Sequence, residues 1–294
     1  MKKKKIIISL LICSIIASLV GLFYVVTLNS KQNKIDVVDT EEIVEEKKYQ
    51  PERQLWLENK AISDDYIGEI VFDSNLINIS FVQANDVYDK QGNLYRFYKA
   101  NGQLVNDVTD LTGNDVYMYT NWTDMSYDYN ILGGSIFLDY RNNLNDQNII
   151  IYGHHFSVAG GNDPERVKAF TPLEKLLEAE NYPNNSTLRL ILDNETRTYE
   201  LAATYIYDIY NEEHNEKLQY YRCNYNYDEF NDIYDENYYQ IYLDEIEKVK
   251  LYDTDTTLNT SDKTLTLQTC ISGQDGLQVQ ICVFKLIDSQ YYQD

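Results

Sequence analysis

The chain opens with its longest apolar run. Ile6 to Leu28 is 23 residues without a charge, which at about 1.5 Å rise per residue spans a hydrocarbon layer of about 30 Å with a little tilt. A cleaved signal peptide carries a shorter apolar stretch, about 7 to 15 residues, and a small-x-small exit. Neither precedes Ser30, so a retained transmembrane signal anchor is the expectation. Residues 30–66 are polar and acidic, and Gln54 to Ala61 reads as a helix within a stalk. From Ile67 the pattern changes to short apolar runs: Ile67–Phe72, Leu76–Val82, Gly134–Leu138, Ile149–Tyr152, Leu188–Leu192, Tyr199–Tyr207, Leu265–Thr269 and Leu277–Ile287, separated by Asn, Asp and Gly clusters. Eight short strands predict a mainly β fold, a barrel or sandwich with inserted helices. The expected divisions are therefore 1–29 for a basic tail and anchor, 30–66 for the stalk, and 67–294 for the β domain.

Three insertions interrupt the strands. Val87 to Asp107 carries GNLY and GQLV ten residues apart, each after a turn-forming pair, and reads as a β-hairpin excursion. Pro164 to Glu180 has Leu173, Leu176 and Leu177 at helical spacing, with Thr171 and Pro172 as cap and first position. Asp228 to Leu251 carries Phe230, Ile233, Tyr234, Tyr238, Ile241, Tyr242 and Ile246 as a helical stripe with acidic residues opposite. Both stripes predict helices packed on the sheet.

Charge adds topology. With 25 Lys+Arg against 47 Asp+Glu the formal charge is −22, and removing Lys2 to Lys5 leaves 21 against 47, or −26, for the rest. The positive-inside rule places residues after the anchor outside the cytoplasm, so the expected location is the cell membrane, single-pass, with the β domain extracellular. An ectodomain this acidic repels nucleic-acid phosphates and excludes a nucleic-acid partner, whereas an amine-bearing partner suits it. The 28 Tyr and 9 Phe exclude a disordered acidic polymer.

Few residues can carry chemistry. Cys13 lies in the anchor and reads as an apolar thiol; Cys223, Cys270 and Cys282 lie outside it. That odd number leaves at least one free thiol, and a Cys223–Cys282 bridge with Cys270 free is one arrangement that fits. Three histidines exist, of which His214 sits in an acidic loop and reads as a solvated surface residue. Asn148 to His155, NIIIYGHH, is an apolar strand ending in Gly153 and a histidine pair, and Thr264 to Cys270, TLTLQTC, is an alternating strand ending in a thiol. Residues at strand ends are held by a rigid scaffold, where thiol and imidazole can cooperate in acyl transfer through a thioester. Adjacent histidines in extended chain point to opposite faces, which argues against a metal at His154 and His155. No metal-ligand cluster is visible, and no cofactor is expected. A papain-like protease would place its histidine after the cysteine, and an L,D-transpeptidase would carry S-H-G-C at the nucleophile; neither pattern occurs.

The run Gly134 to Asn142, GSIFLDYRN, then NIIIYGHH, then Phe170-Thr-Pro-Leu173 and TLQTC, resembles the class B sortases, cysteine transpeptidases of the Gram-positive cell surface. The resemblance covers 67 to 287 and implies an eight-stranded sortase-type β-barrel, with the helix at 228–251 as the element separating class B from class A. It implies that Cys270 attacks the carbonyl of a threonine in a sorting motif, and that His154 protonates the leaving amine and deprotonates the incoming one. Thr269 would line the substrate site near the oxyanion, and His155 would lie behind the site. The implied partners are surface proteins bearing a C-terminal sorting motif and an amine acceptor on peptidoglycan or a pilin. One departure stands out: sortases carry an arginine about eight to thirteen residues after the cysteine, whereas Ile271 to Ile287 contains none. Gln278 and Gln280 fall nearest that place, and Arg222 is an upstream substitute. Losing a charged oxyanion donor costs on the order of a hundredfold in rate, so a catalytically weak or inactive sortase-like binding protein is the competing expectation. Two milder departures are Glu69, where the class has Trp, and Asp73-Ser74-Asn75 in place of a P-G-T turn.

Overall fold

A computed structural model of the chain describes residues 52–98, 103–127, 134–156, 169–208, 236–271 and 278–292. The first element is a helix, α1, over residues 52–60. It is held on the sheet by Trp56, whose indole N–H donates to the Ile67 carbonyl at 2.9 Å, and by Asn59, whose amide donates to Glu69 Oε1 at 2.9 Å. The strands are β1 (Tyr66–Phe72), β2 (Asn78–Val82), β3 (Ile136–Leu138), β4 (Asn148–Tyr152), β5 (Thr187–Ile191), β6 (Glu195–Asp208), β7 (Thr264–Cys270) and β8 (Gln278–Tyr291). They close into a barrel in the order β1-β2-β3-β4-β7-β8-β6-β5. All eight predicted strands are present, and closure distinguishes the barrel from the sandwich that the pattern left open.

Two neighbouring pairs, β2 with β3 and β4 with β7, are parallel; the rest are antiparallel. Parallel neighbours need long crossovers, and the inserted segments supply them. The first crossover holds a short helix, α2 (Gly113–Tyr117), which the sequence pattern does not announce. The excursion at 87–107 contains two single-bridge turns, Tyr88 opposite Leu94 and Tyr98 opposite Leu104, where one hairpin was expected. Each repeat of the turn signal closes its own small loop.

Alternation along the strands sorts side chains between two cores. Ile149 and Ile151 of β4, Leu265 and Leu267 of β7, and Cys282 and Phe284 of β8 fill the barrel interior with Phe72, Phe81, Leu190 and Tyr199. Ile150, Ala203, Tyr205, Ile281 and Val283 face outward and are covered by α3 (Glu236–Val249) through Tyr239, Tyr242, Leu243 and Ile246. The stripe expected over 228–251 is thus a helix packed on the sheet over its described part. The expected helix at 164–180 is, over its described part from residue 169, two 3₁₀ segments, Thr171–Leu177 and Ala179–Asn184. Leu173 and Leu176, three apart, eclipse one another in 3₁₀ geometry and both enter the barrel core, and Pro183 limits the second segment. Thr171 is the first residue of its segment, with Phe170 as N-cap.

Among the described residues no helix is long and apolar enough to cross a membrane. The expected anchor at Ile6–Leu28, with Cys13, lies outside the described residues, as do Cys223, Arg222 and His214.

Candidate active site

Asn148 sets the register that builds the site. Its side-chain oxygen, fully buried at the start of β4, accepts from the hydroxyls of Thr264 at 3.0 Å and Thr266 at 2.9 Å on β7. Tyr239 of α3 lies 2.9 Å from the Thr264 hydroxyl and continues the same network. The parallel pairing then runs Asn148 opposite Thr264 through Tyr152 opposite Gln268. Beyond β4 the Gly153 N–H donates to the Gln268 carbonyl at 3.1 Å, and the Thr269 hydroxyl donates to the Gly153 carbonyl at 2.8 Å. The last register pair stands two residues before His154 on one side and two before Cys270 on the other, so both follow the same end of the paired strands. Both belong to the outward-facing set, in the row above the residues that α3 covers.

Gly153 is required by packing. A Cβ there would lie 2.4 Å from Ile136 Cδ1 and 2.7 Å from the Phe170 ring. The ring of Phe170 presses on the backbone that presents His154. The 3₁₀ segment clamps the same stretch. Phe170 N–H donates to the His154 carbonyl at 2.9 Å, Phe156 N–H donates to the Thr171 hydroxyl at 2.9 Å, and His155 Nε2 meets Glu174 Oε2 at 3.2 Å. The Phe-x-x-Leu motif therefore works as a clip on the histidine strand.

The imidazole of His154 is fixed from the far side. Its Nε2 bonds the Met118 carbonyl at the end of α2, and its ring stacks on Tyr119 at 5.8 Å with 25° between planes. A carbonyl only accepts, so Nε2 carries hydrogen, and Nδ1 is the nitrogen free to gain or lose a proton. Cys270 Sγ reaches solvent at the end of β7, yet burial by the surrounding wall pushes its thiol above the ordinary range. Among the described residues no hydrogen bond joins Cys270 to His154. The arrangement holds a protonated thiol beside an imidazole whose reactive nitrogen is set by its anchoring.

The other expected site residues lie elsewhere. Residues opposite one another in an antiparallel pair share a face; Cys270 pairs with Val279, and Thr269 with Gln280. Thr269, Gln278 and Gln280 therefore belong to the opposite face from the thiol. Thr269 is 2% exposed, its hydroxyl latched to Gly153. Gln280 is 1% exposed and donates to the Leu173 carbonyl at 2.8 Å; Gln278 donates to Asp208 Oδ2 at 2.7 Å. On Cys270's own face the β8 residues are Val279 and Ile281. Cys282 is a free thiol buried in the barrel, so the Cys223–Cys282 bridge that the cysteine count allowed is not formed; burial pushes the thiol up to about 12.

The GSIFLDYRN run builds a turn. Asp139 is fully buried and accepts from Arg141 Nε at 2.9 Å and Nη2 at 2.8 Å, and from Tyr152 Oη at 2.8 Å. Burial by itself would raise Asp139, but the hydrogen bonds and charge of Arg141 outweigh it and hold the carboxyl below the usual range. Asn142 accepts from the Ile150 N–H at 2.8 Å and ties the turn to β4.

No family model and no curated protein matches the chain. Solved structures do. Clostridium perfringens sortase B is 23% identical with a TM-score of 0.54, over 78% of this chain and 97% of that one. A Staphylococcus aureus sortase B–substrate complex is 19% identical with a TM-score of 0.54, over 85% and 98%. Bacillus anthracis sortase B in complex with AAEK1 is 23% identical with a TM-score of 0.51, over 78% and 82%. These likenesses define the fold: the chain has the eight-stranded sortase-type barrel. All three are sortase B structures.

Proposed function

We propose that the chain is a cysteine transpeptidase of the sortase type. Cys270 Sγ passes its proton to His154 Nδ1 and attacks the threonine carbonyl of a sorting motif, the peptide bond breaks as Nδ1 delivers that proton to the leaving amine, and a thioester remains on Cys270. An incoming amine then attacks the thioester and loses its proton to Nδ1, the carbon–sulfur bond breaks, and Nδ1 returns that proton to Cys270 Sγ. The acceptor is an amine of peptidoglycan or a pilin. Lys2 to Lys5 ahead of Ile6–Leu28 support a cell-membrane location with the barrel outside. The observation that carries the reading is the parallel register of β4 and β7, whose last pair, Tyr152 opposite Gln268, stands two residues before His154 and two before Cys270.

The test is to incubate the full chain with a threonine-containing sorting peptide and a glycine or lysine amine. Mass spectrometry should find an acyl adduct on Cys270 that is absent in Cys270→Ala. Peptide binding without adduct or transfer product sinks the enzyme reading. A second reading, a catalytically weak sortase-like protein that binds sorting signals, is favoured by one observation: the β8 residues on the thiol's face, Val279 and Ile281, are both apolar. Binding without turnover is its signature.

A further inference from the structure

Four aromatic rings form a continuous strip that ends on the candidate base. Tyr98, in the excursion, lies 4.4 Å from Tyr127 by ring centroids at 32°. Tyr127 meets Tyr119 edge-on at 6.2 Å, and Tyr119 stacks on His154 at 5.8 Å. Phe156, two residues on in the chain, lies 5.8 Å from the histidine ring and outside the strip. All of these rings are only partly buried, so each keeps some contact with solvent. The strip is long-range in sequence: it joins Tyr98, the segment before β3, and the end of β4. Core packing accounts for none of Tyr98, Tyr119 or Tyr127, which belong to no buried cluster.

The sequence that carries the strip is net acidic, although Arg96 and Lys99 flank Tyr98. Residues 103–127, which carry Tyr119 and Tyr127, include Asp107, Asp110, Asp115 and Asp124 and no lysine or arginine. A π face attracts a cation, most strongly when anionic groups sit nearby and the ring is partly desolvated. A primary amine in water arrives as an ammonium and must lose a proton before it can attack a thioester. Only the last ring of the strip, His154, can take that proton.

We propose that Tyr98, Tyr127 and Tyr119 form the subsite for the amine acceptor, holding its ammonium by cation–π contact and leading it to His154 Nδ1. Its catalytic meaning rests on the transpeptidase reading; its ligand binding does not. The probes are Nα-acetyl-lysine methylamide, its trimethyl-ammonium analogue and the uncharged norleucine analogue. Each is titrated into the full chain carrying Cys270→Ala and fluorotyrosine, with ring signals assigned through Tyr→Phe variants. Saturable shifts of the Tyr98, Tyr119 and Tyr127 signals with both cations, and none with norleucine, are expected. Equal shifts with norleucine, no saturation with either cation, or shifts produced instead by an N-acetylglucosamine oligomer overturn the subsite. In the transfer assay, Tyr98→Leu and Tyr127→Leu should raise the amine concentration for half-maximal transfer about tenfold, while Tyr98→Phe, which keeps the π face, should restore it. An unchanged half-saturation in both leucine variants also overturns it. Cation binding with no transfer in the parent chain removes the transpeptidase reading and leaves the subsite standing.

Discussion

Val279 and Gln280 are neighbours on β8 whose side chains meet opposite environments. Val279 shares a face with Cys270, whereas Gln280 is buried against the Leu173 carbonyl and the Cys282 sulfur. Val279→Arg sets a cation beside the thiol and should raise acylation on the order of tenfold or more. Gln280→Arg instead buries an unpaired guanidinium and should cost about 3–5 kcal/mol, read as a fall in the urea midpoint. A rate gain in Gln280→Arg without loss of stability would refute this assignment of faces. The two described thiols differ in the same way. Iodoacetamide should alkylate Cys270 in the native chain, at a rate that rises with pH and is half-maximal above the ordinary thiol range, because burial raises that thiol. Cys282 should react only after unfolding.

At the scale of elements, a side chain far from the thiol decides whether the site exists. Asn148 accepts from two buried threonines, and through Thr264 it is tied to Tyr239 of α3. It is a positioning residue: it fixes β4 against β7 so that His154 and Cys270 follow the same end of the paired strands. Asn148→Ala removes the acceptor of the Thr266 hydroxyl and leaves Thr264 the longer bond to the Gln147 carbonyl at 3.4 Å, and should cost about 2–3 kcal/mol by denaturant unfolding. If its role were structural alone, acylation at a temperature where the variant is folded would be unchanged; a loss of on the order of tenfold is expected. The Phe170–Leu173 segment acts at the same scale, through main-chain bonds on either side of His154.

For the molecule as a whole, pH acts through a large negative charge and two buried carboxyls of opposite tendency. Burial raises Glu69, against the hydrogen bonds of Tyr66, Ser80 and Asn59 that favour its charged form. The folded state therefore holds that proton more tightly than the unfolded chain; the stabilisation is complete below the ordinary glutamate value and is lost as pH rises through the folded one. Asp139 is held low, so its contribution is present above the ordinary aspartate value and is lost as pH falls through its folded one. With a formal charge of −22, protonation also relieves self-repulsion. Thermal unfolding should therefore give a Tm that rises from pH 8 toward about 5 and falls below about 4. Glu69→Gln should flatten the rise; an unchanged slope would show that Glu69 is not its source.

The periodicity determined the eight strands and the helix that covers Tyr205 and Ile281, because burial on a pleated surface forces alternation and burial against a helix forces a stripe. It also singled out Cys270 and His154, since a lone thiol and a histidine at strand ends are rare against so many Asn, Asp and Tyr. It could not determine that Leu173 and Leu176 lie in 3₁₀ geometry, because their spacing suits both helix types and only the fit against the barrel mouth selects one. Nor could it place Gln278 and Gln280: counting residues from Cys270 locates a strand but not its face, which hangs on a single step of register between β7 and β8. Barrel closure, the Met118 carbonyl that fixes the His154 ring, and the alignment of Tyr98, Tyr127 and Tyr119 join segments distant in sequence. Their contacts follow from which strands are neighbours, and that was decided only by the tertiary structure.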